Sequence, residues 1–484
     1  MKKAKILVIM GLCIGVLCGC QKTPETTLVT SKNDGAFESA IENQDTESIN
    51  VDVMNKDNKS VYAESFKSAD NSIDYTIEIT VPAENPVLPV LQVTPETITS
   101  EMAERVSDAL FGDANVYQYS SEMSKSEIEN RILSLRQRIS NYQALVEYYG
   151  GDEEIADRVK NEYEAKISEY ERAYGQAAEE VSATLCDWVF YPQSYYDDPS
   201  LSHSHEEGYD ETQCIKATTT MDGLPYVYNV YNRDAKDYRI HSIYAYVNDM
   251  EVTPIEMYST EEPSEEDIAS AIAKAEELLA QMDIGEWEIA SSGVVTWGDY
   301  DSGKNVYKIE VYATPVYNGV EVTRQQQLSN LKSEDAYASN YYYEEILFTF
   351  SGGRIIEFQY TAPLEVVDEI NSNVAILPFD EVINSLKAQM RLSSAYYYLG
   401  ADRVDVAIDE VELGLSRIRI KNNEADFYLI PTYTFYGNAA MYDKSGEPIV
   451  IYDAQGNPIT VGLDVQLATI NAVDGSVINV ELGY

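Results

Sequence analysis

Between residues 128 and 149 the apolar side chains fall at Ile128, Ile132, Leu135, Ile139, Tyr142, Val146 and Tyr149. The spacing alternates four and three, the seam of a heptad helix sustained over three repeats. Gly150-Gly151 interrupts it, and a second apolar stripe follows at Ile155, Val159, Tyr163, Ile167, Tyr170, Tyr174 and Val181. Two long helices joined by so short a turn have to run antiparallel, so residues 123–182 are expected to form an αα-hairpin. Each arm would be about 40 Å long at ~1.5 Å per residue. The seam is narrow and the outer faces are charged, which suits a hairpin packed mainly against itself. The alternatives are an arm lying flat on a sheet and an arm that docks a partner.

The hairpin interrupts a chain of otherwise mixed character. Tyr75, Ile77, Ile79 and Val81 alternate with polar residues as in a half-buried strand. Thr94-Pro95-Glu96 has the form of a helix start, with Ile98, Met102, Val106 and Leu110 on one face and Gly112 as its stop. After the hairpin, strands are expected over 214–221, 225–231 and 238–247, with turns at Asp222-Gly223 and at Asn232-Arg233-Asp234. Ser264-x-x-Asp267 resembles a capping box ahead of a helix bearing Ile268, Ile272, Ala275, Leu279 and Met282. Strands are then expected at 287–296, 306–316, 344–350 and 354–360. Asp380 is expected to cap a helix with Val382, Ile383, Leu386 and Met390, before further strands at 404–413, 416–420, 427–436, 449–452, 459–461, 465–471 and 476–482. The recurrence of helix then strands predicts an α+β fold of tandem helix-on-antiparallel-sheet units. The expected units are 71–255 with the inserted hairpin, 262–363, and 378–484.

The N-terminus carries Lys2, Lys3 and Lys5, an apolar run from Ile6 to Val16, and Leu17-Cys18-Gly19-Cys20. The run is too short to span a bilayer. The whole resembles the signal peptide and lipobox of bacterial lipoproteins. That resemblance implies cleavage after residue 19, a lipid thioether on Cys20, and a protein anchored on the extracytoplasmic face of the cell membrane. Residues 20–70, polar and without periodicity, are expected to be a disordered tether reaching roughly 40 Å. Removing residues 1–19 takes away basic groups only, so the −48 formal charge becomes more negative still. Such a field argues against nucleic acid and anionic headgroups as partners. Cys13 and Cys18 would leave with the signal and Cys20 would carry lipid. Cys186 and Cys214 remain, an even pair in a compartment that permits disulfides, and a bridge between them is expected.

The sequence carries few signatures of chemistry. Nucleophile-elbow, zinc-protease, phosphate-loop and dinucleotide fingerprints are missing, and the chain has only three histidines. His203-Ser-His205 could be a metal half-site on a strand, but the neighbouring Pro and Gly residues favour a solvated loop. Asp299-Tyr-Asp301-Ser-Gly303 resembles a calcium loop without the distal Glu, and a hairpin turn accounts for it better. No catalytic residue, metal or cofactor is expected. The ending Ala468-Thr-Ile-Asn471-Ala-Val-Asp474-Gly475-Ser-Val477-Ile478 is similar to that of PepSY-type modules, and the tandem units look like those of the extracytoplasmic YycH and YycI regulators. The resemblance implies a non-enzymatic envelope module that binds or restrains another protein. The second reading is a ligand-binding lipoprotein for wall glycans or transported solutes. It would use tyrosines near Tyr341-Tyr342-Tyr343 and Tyr396-Tyr397-Tyr398, in a chain with 39 Tyr against 10 Phe.

Overall fold

The computed structural model describes residues 36–43, 61–82, 87–120, 122–148, 153–196, 211–235, 238–248, 252, 254–299, 304–325, 342–395, 401–420, 423, 426–449 and 465–479. The fold is α+β, built on two mixed-length sheets rather than three. Helix α1 (Ala36–Ile41) precedes β1 (Val61–Lys67), β2 (Ile73–Thr80) and β3 (Val90–Pro95). Next come α2 (Ser100–Phe111), β4 (Tyr117–Gln118), and the hairpin helices α3 (Lys125–Ser140), α4 (Tyr142–Tyr148) and α5 (Glu153–Tyr174). Strands β5 (Tyr191–Pro192), β6 (Gln213–Met221), β7 (Leu224–Ala235) and β8 (Tyr238–Val247) follow, then α6 (Pro254–Met257) and α7 (Glu265–Met282). A second run of strands comprises β9 (Trp287–Asp299), β10 (Lys304–Tyr317), β11 (Val320–Glu321), β12 (Glu345–Ser351), β13 (Arg354–Thr361) and β14 (Leu364–Asn371). The chain closes with α8 (Phe379–Arg391), β15 (Arg403–Arg419), β16 (Phe427–Tyr442), β17 (Val465–Asn471) and β18 (Val477–Ile478).

The larger sheet runs β11-β10-β12-β13-β8-β7-β6-β4, with β9 on β10 and β5 on β6. It fuses the expected first and second units through the β8–β13 pairing, Ser242–Tyr246 against Glu357–Thr361. Helices α2 and α7 pack on one of its faces, over Tyr228, Phe348, Phe358 and Tyr360. The other sheet runs β1-β2-β15-β16-β17-β18, with β3 joining β16 and β14 joining β3. Helix α8 covers it through Val382, Ile383, Leu386 and Met390.

The unit boundaries are thereby corrected. Strand β2 leaves the first unit and pairs in parallel with β15, Ile73–Ile77 against Val404–Ile408. Residues from about 98 to 361 thus form an insertion between β3 and β14 of the other sheet. The expected tether at 20–70 also holds structure. Ile41 of α1 is 2% exposed, and β1 lies against β2 with Phe66 stacked on Tyr75. Helix α2 starts later than expected. Thr99 caps it, its Oγ1 accepting from Met102 N at 3.1 Å, while Thr94 and Pro95 end β3. Asp380 is not a cap; Pro378 holds that place and Asp380 sits in the first turn. The turn expected at residues 232–234 is strand, and the segments 404–413 and 416–420 are one strand, β15. The Ser264 capping box forms as expected, with Ser264 Oγ accepting from Asp267 N and Asp267 accepting from Ser264 N. Asp222-Gly223, both with positive φ, make the β6–β7 turn. The strands expected at 449–452 and 459–461 lie almost wholly outside the described residues.

The hairpin is present, with its first arm interrupted at Asn141 between α3 and α4. Ile128, Ile132 and Leu135 meet Ile167 and Tyr170 in a cluster that contains no residue of either sheet. A capping box at Ser124-Glu127 starts it. The Lys125 amide donates to the Ala178 carbonyl at 2.9 Å, so the two arms close at their base.

Candidate functional site

The two sheets meet where the chain passes between them. It leaves one sheet after Pro95 and returns to it through Ala362-Pro363, and the Glu96 amide donates to the Pro363 carbonyl at 2.8 Å. Tyr317 at the end of β10 donates from its hydroxyl to Glu344 and to the Leu364 carbonyl, the latter at 3.0 Å. Tyr360 of β13 donates to Glu344 Oε1 at 3.2 Å. Glu344 is 6% exposed. Burial pushes its carboxyl up to about 8, against the lowering effect of hydrogen bonds from Tyr317, the Leu364 amide and Tyr360.

A second group of charges lies alongside. Arg324 pairs with Glu345 at 3.4 Å and stacks its guanidinium 3.7 Å from the Tyr312 ring centroid. Tyr436 of β16 donates to the Arg324 carbonyl at 2.8 Å and to Glu412 at 2.9 Å. Burial raises the Glu412 carboxyl to about 7, and the nearby Glu321 and Glu410 charges push the same way. Beside these, residues 322–325 lie across β15, with Thr323 N donating to the Leu415 carbonyl at 2.9 Å. Gln325 Nε2 reaches Ser416 Oγ at 2.9 Å and Thr323 Oγ1 at 2.8 Å, while Gln466 Nε2 reaches Gln325 Oε1 at 2.7 Å. Gly414 permits this approach. A Cβ there would stand 2.5 Å from the Glu321 carbonyl oxygen and 2.8 Å from Thr323 Cγ2.

The face of the larger sheet opposite α2 and α7 carries a cross-strand row of Tyr312, Leu347, Gln359, Tyr244, Asn229 and Lys216. All but the buried Asn229 are half-buried, and Tyr246 beside them is 38% exposed. At the β6 edge, Tyr191 stacks on Tyr195 at 4.2 Å, and Lys216 lies 5.5 Å from the Tyr196 ring centroid. These are not the tyrosines expected from the sequence. Tyr343 is buried under the Arg417 guanidinium, and Tyr342 gives Arg417 its carbonyl. Tyr341 and Tyr396–Tyr398 lie outside the described residues.

Cys186 and Cys214 do not form the expected disulfide in this structure. They are held by different ladders: the Cys186 amide donates to Val116, and Cys214 pairs with Tyr191. Burial raises the Cys186 thiol. Cys20, His203 and His205, and most of the Asp299–Asn305 loop, lie outside the described residues. His241 is buried on β8, and its carbonyl accepts the Ala362 amide at 2.9 Å. Among the described residues no group of three or more His, Cys, Asp or Glu side chains could hold a metal ion, and no helix is long and apolar enough to cross a membrane.

No family model and no curated protein matches the chain. Among solved structures it is similar to an uncharacterized protein from Eubacterium rectale, at 10% identity and a TM-score of 0.36, covering 92% of this chain and 98% of that one.

Proposed function

We propose that this chain is a lipid-anchored, extracytoplasmic, non-catalytic binding module of the cell envelope, held at the bilayer through Cys20 and presenting its helical hairpin to an envelope protein. The observation that carries the reading is the hairpin's independence from the body. Its apolar seam is spent on its own second arm, and its cluster touches neither sheet core. What it offers outward is charge, together with Leu133 at 62% exposure. An element that adds nothing to either core and stays exposed is economically explained as a contact arm.

A photo-crosslinking residue at position 133, in cells, tests this reading. The expected result is one discrete crosslinked species that disappears when Arg131 and Arg138 on the same helix are changed to Glu. Absence of any species, with the protein present at wild-type level, would count against it.

The half-buried Tyr244 and Gln359, with Tyr246 beside them at 38% exposure, favour a second reading, recognition of a wall glycan by ring faces and an amide group. Line broadening of the tyrosine ring signals on titration with muropeptides would support it, and unchanged spectra would dispose of it.

A further inference from the structure

The insertion of one sheet body between β3 and β14 leaves two crossings of the chain, at residues 96–99 and 362–363. They lie side by side, tied by the Glu96–Pro363 hydrogen bond. Two adjacent crossings are the geometry of a hinge. Everything else that joins the bodies nearby is non-covalent. There is an apolar cluster of Leu91, Val93, Val322, Leu364, Leu415 and Leu429, the strip 322–325 on β15, and the Tyr317 hydroxyl, which reaches both Glu344 and the Leu364 carbonyl.

We propose that this junction is a hinge held shut by a proton: protonated Glu344 closes the two sheet bodies on each other, and loss of that proton loosens them. Glu344 suits the role by position. It stands at the head of β12 in one body, and the amide of Leu364, first residue of β14 in the other, donates to it. The groups that face it are Tyr317 from β10, Tyr360 from β13 and the Glu96 carboxyl beyond β3. None of the three is a cation. Charging Glu344 places an anion in a buried site beside a second carboxyl, whose own proton is favoured by burial and by Glu365. From β8 the contribution at the crossing is the His241 carbonyl on Ala362. Glu412 is a second carboxyl of the same kind, faced by Tyr436 from β16, Glu410 from its own strand, Glu321 from β11 and Arg324 from the strip. The raised carboxyls set the direction: closed in mild acid, loosened as pH passes through the range around 7 to 8.

Amide exchange on the full chain at pH 6 and pH 9, corrected for intrinsic exchange rates, tests the hinge. The expected result is a loss of protection of tenfold or more at Glu96, Thr323 and Leu364, with the β10–β12 ladder amides changing far less. In Glu344→Gln that loss should be largely abolished at Glu96 and Leu364, while Thr323, on the strip beside Glu412, still responds. Parallel change of junction and ladder amides, or an undiminished loss at Glu96 and Leu364 in Glu344→Gln, overturns the proposal. Tyr317→Phe provides a second arm should Glu344→Gln fail to fold. It removes a hydrogen bond that stabilises the carboxylate, so the loosening should move to higher pH; an unmoved midpoint counts equally against the hinge.

Discussion

Gly414 and Glu321 stand so close that a single methyl group on the glycine would lie 2.5 Å from the Glu321 carbonyl oxygen. The absence of a side chain on β15 is what lets residues 322–325 of one sheet body lie down on the other. In strand interiors an Ala normally gains on Gly through backbone entropy. Here Gly414→Ala should instead cost about 1–3 kcal/mol, the range for overpacking. Urea denaturation checks it, and an unchanged or raised midpoint would mean that the strip has room to lift.

Stability should depend on pH in a particular direction. Glu344 and Glu412 titrate near 8 and 7 in the folded chain, above the ordinary carboxyl range that an unfolded chain shows. Their raised values mean that the folded state binds more protons, so their contribution is complete below the ordinary range and is lost as pH rises through 7 to 8. Asp70 works in the opposite sense. Hydrogen bonds from Ser68 and Ser72 hold its carboxyl well below the usual value, against the raising effect of burial, and its contribution is lost only in strong acid. Melting temperature should therefore be highest in mild acid and fall toward pH 9. A profile flat from pH 5 to 9 would contradict the assignment.

The hairpin should unfold by itself. Leu135 is 3% exposed within a cluster confined to the two arms. Leu135→Ala should cost about 2–4 kcal/mol there. Limited proteolysis would then cut within residues 123–182 while both sheets remain intact. Coincident loss of hairpin and sheets would show that the arm supports the body.

The hairpin cap gives a smaller, graded effect. Ser124→Ala removes one half of the capping box and should cost about 1 kcal/mol. Amide exchange should quicken in the first turn of α3 and not in α7, whose box at Ser264 is intact.

Local order was legible in the sequence; the partnership of distant strands was not. The Ser264-Asp267 box and the Asp222-Gly223 turn depend on residues within a few positions and appear as read; the heptad seam packs from Ile128 to Ile139, and its helix breaks at Asn141. Strand β2 also reads correctly as a strand. Its alternation of Ile73, Tyr75, Ile77 and Ile79 fits any sheet with an apolar face, and nothing local tells that β15 receives it in parallel. Strand β14, with exposed Val366 and Val367 among acids, gives no alternating signal at all. The junction was hidden for a related reason. Glu344 follows a tyrosine triplet and reads as a surface acid, because its burial is created by Tyr317 and Tyr360 from strands elsewhere in the chain.

The anchor is tested most directly by fractionating cells that express Cys20→Ala beside wild type, with metabolic palmitate labelling. Wild type should take up label and sediment with membranes, while Cys20→Ala should be unlabelled and leave the membrane fraction with its fold intact. A Cys20→Ala chain that still sediments with membranes, or a wild-type chain that takes up no label, would contradict lipid anchoring at this residue.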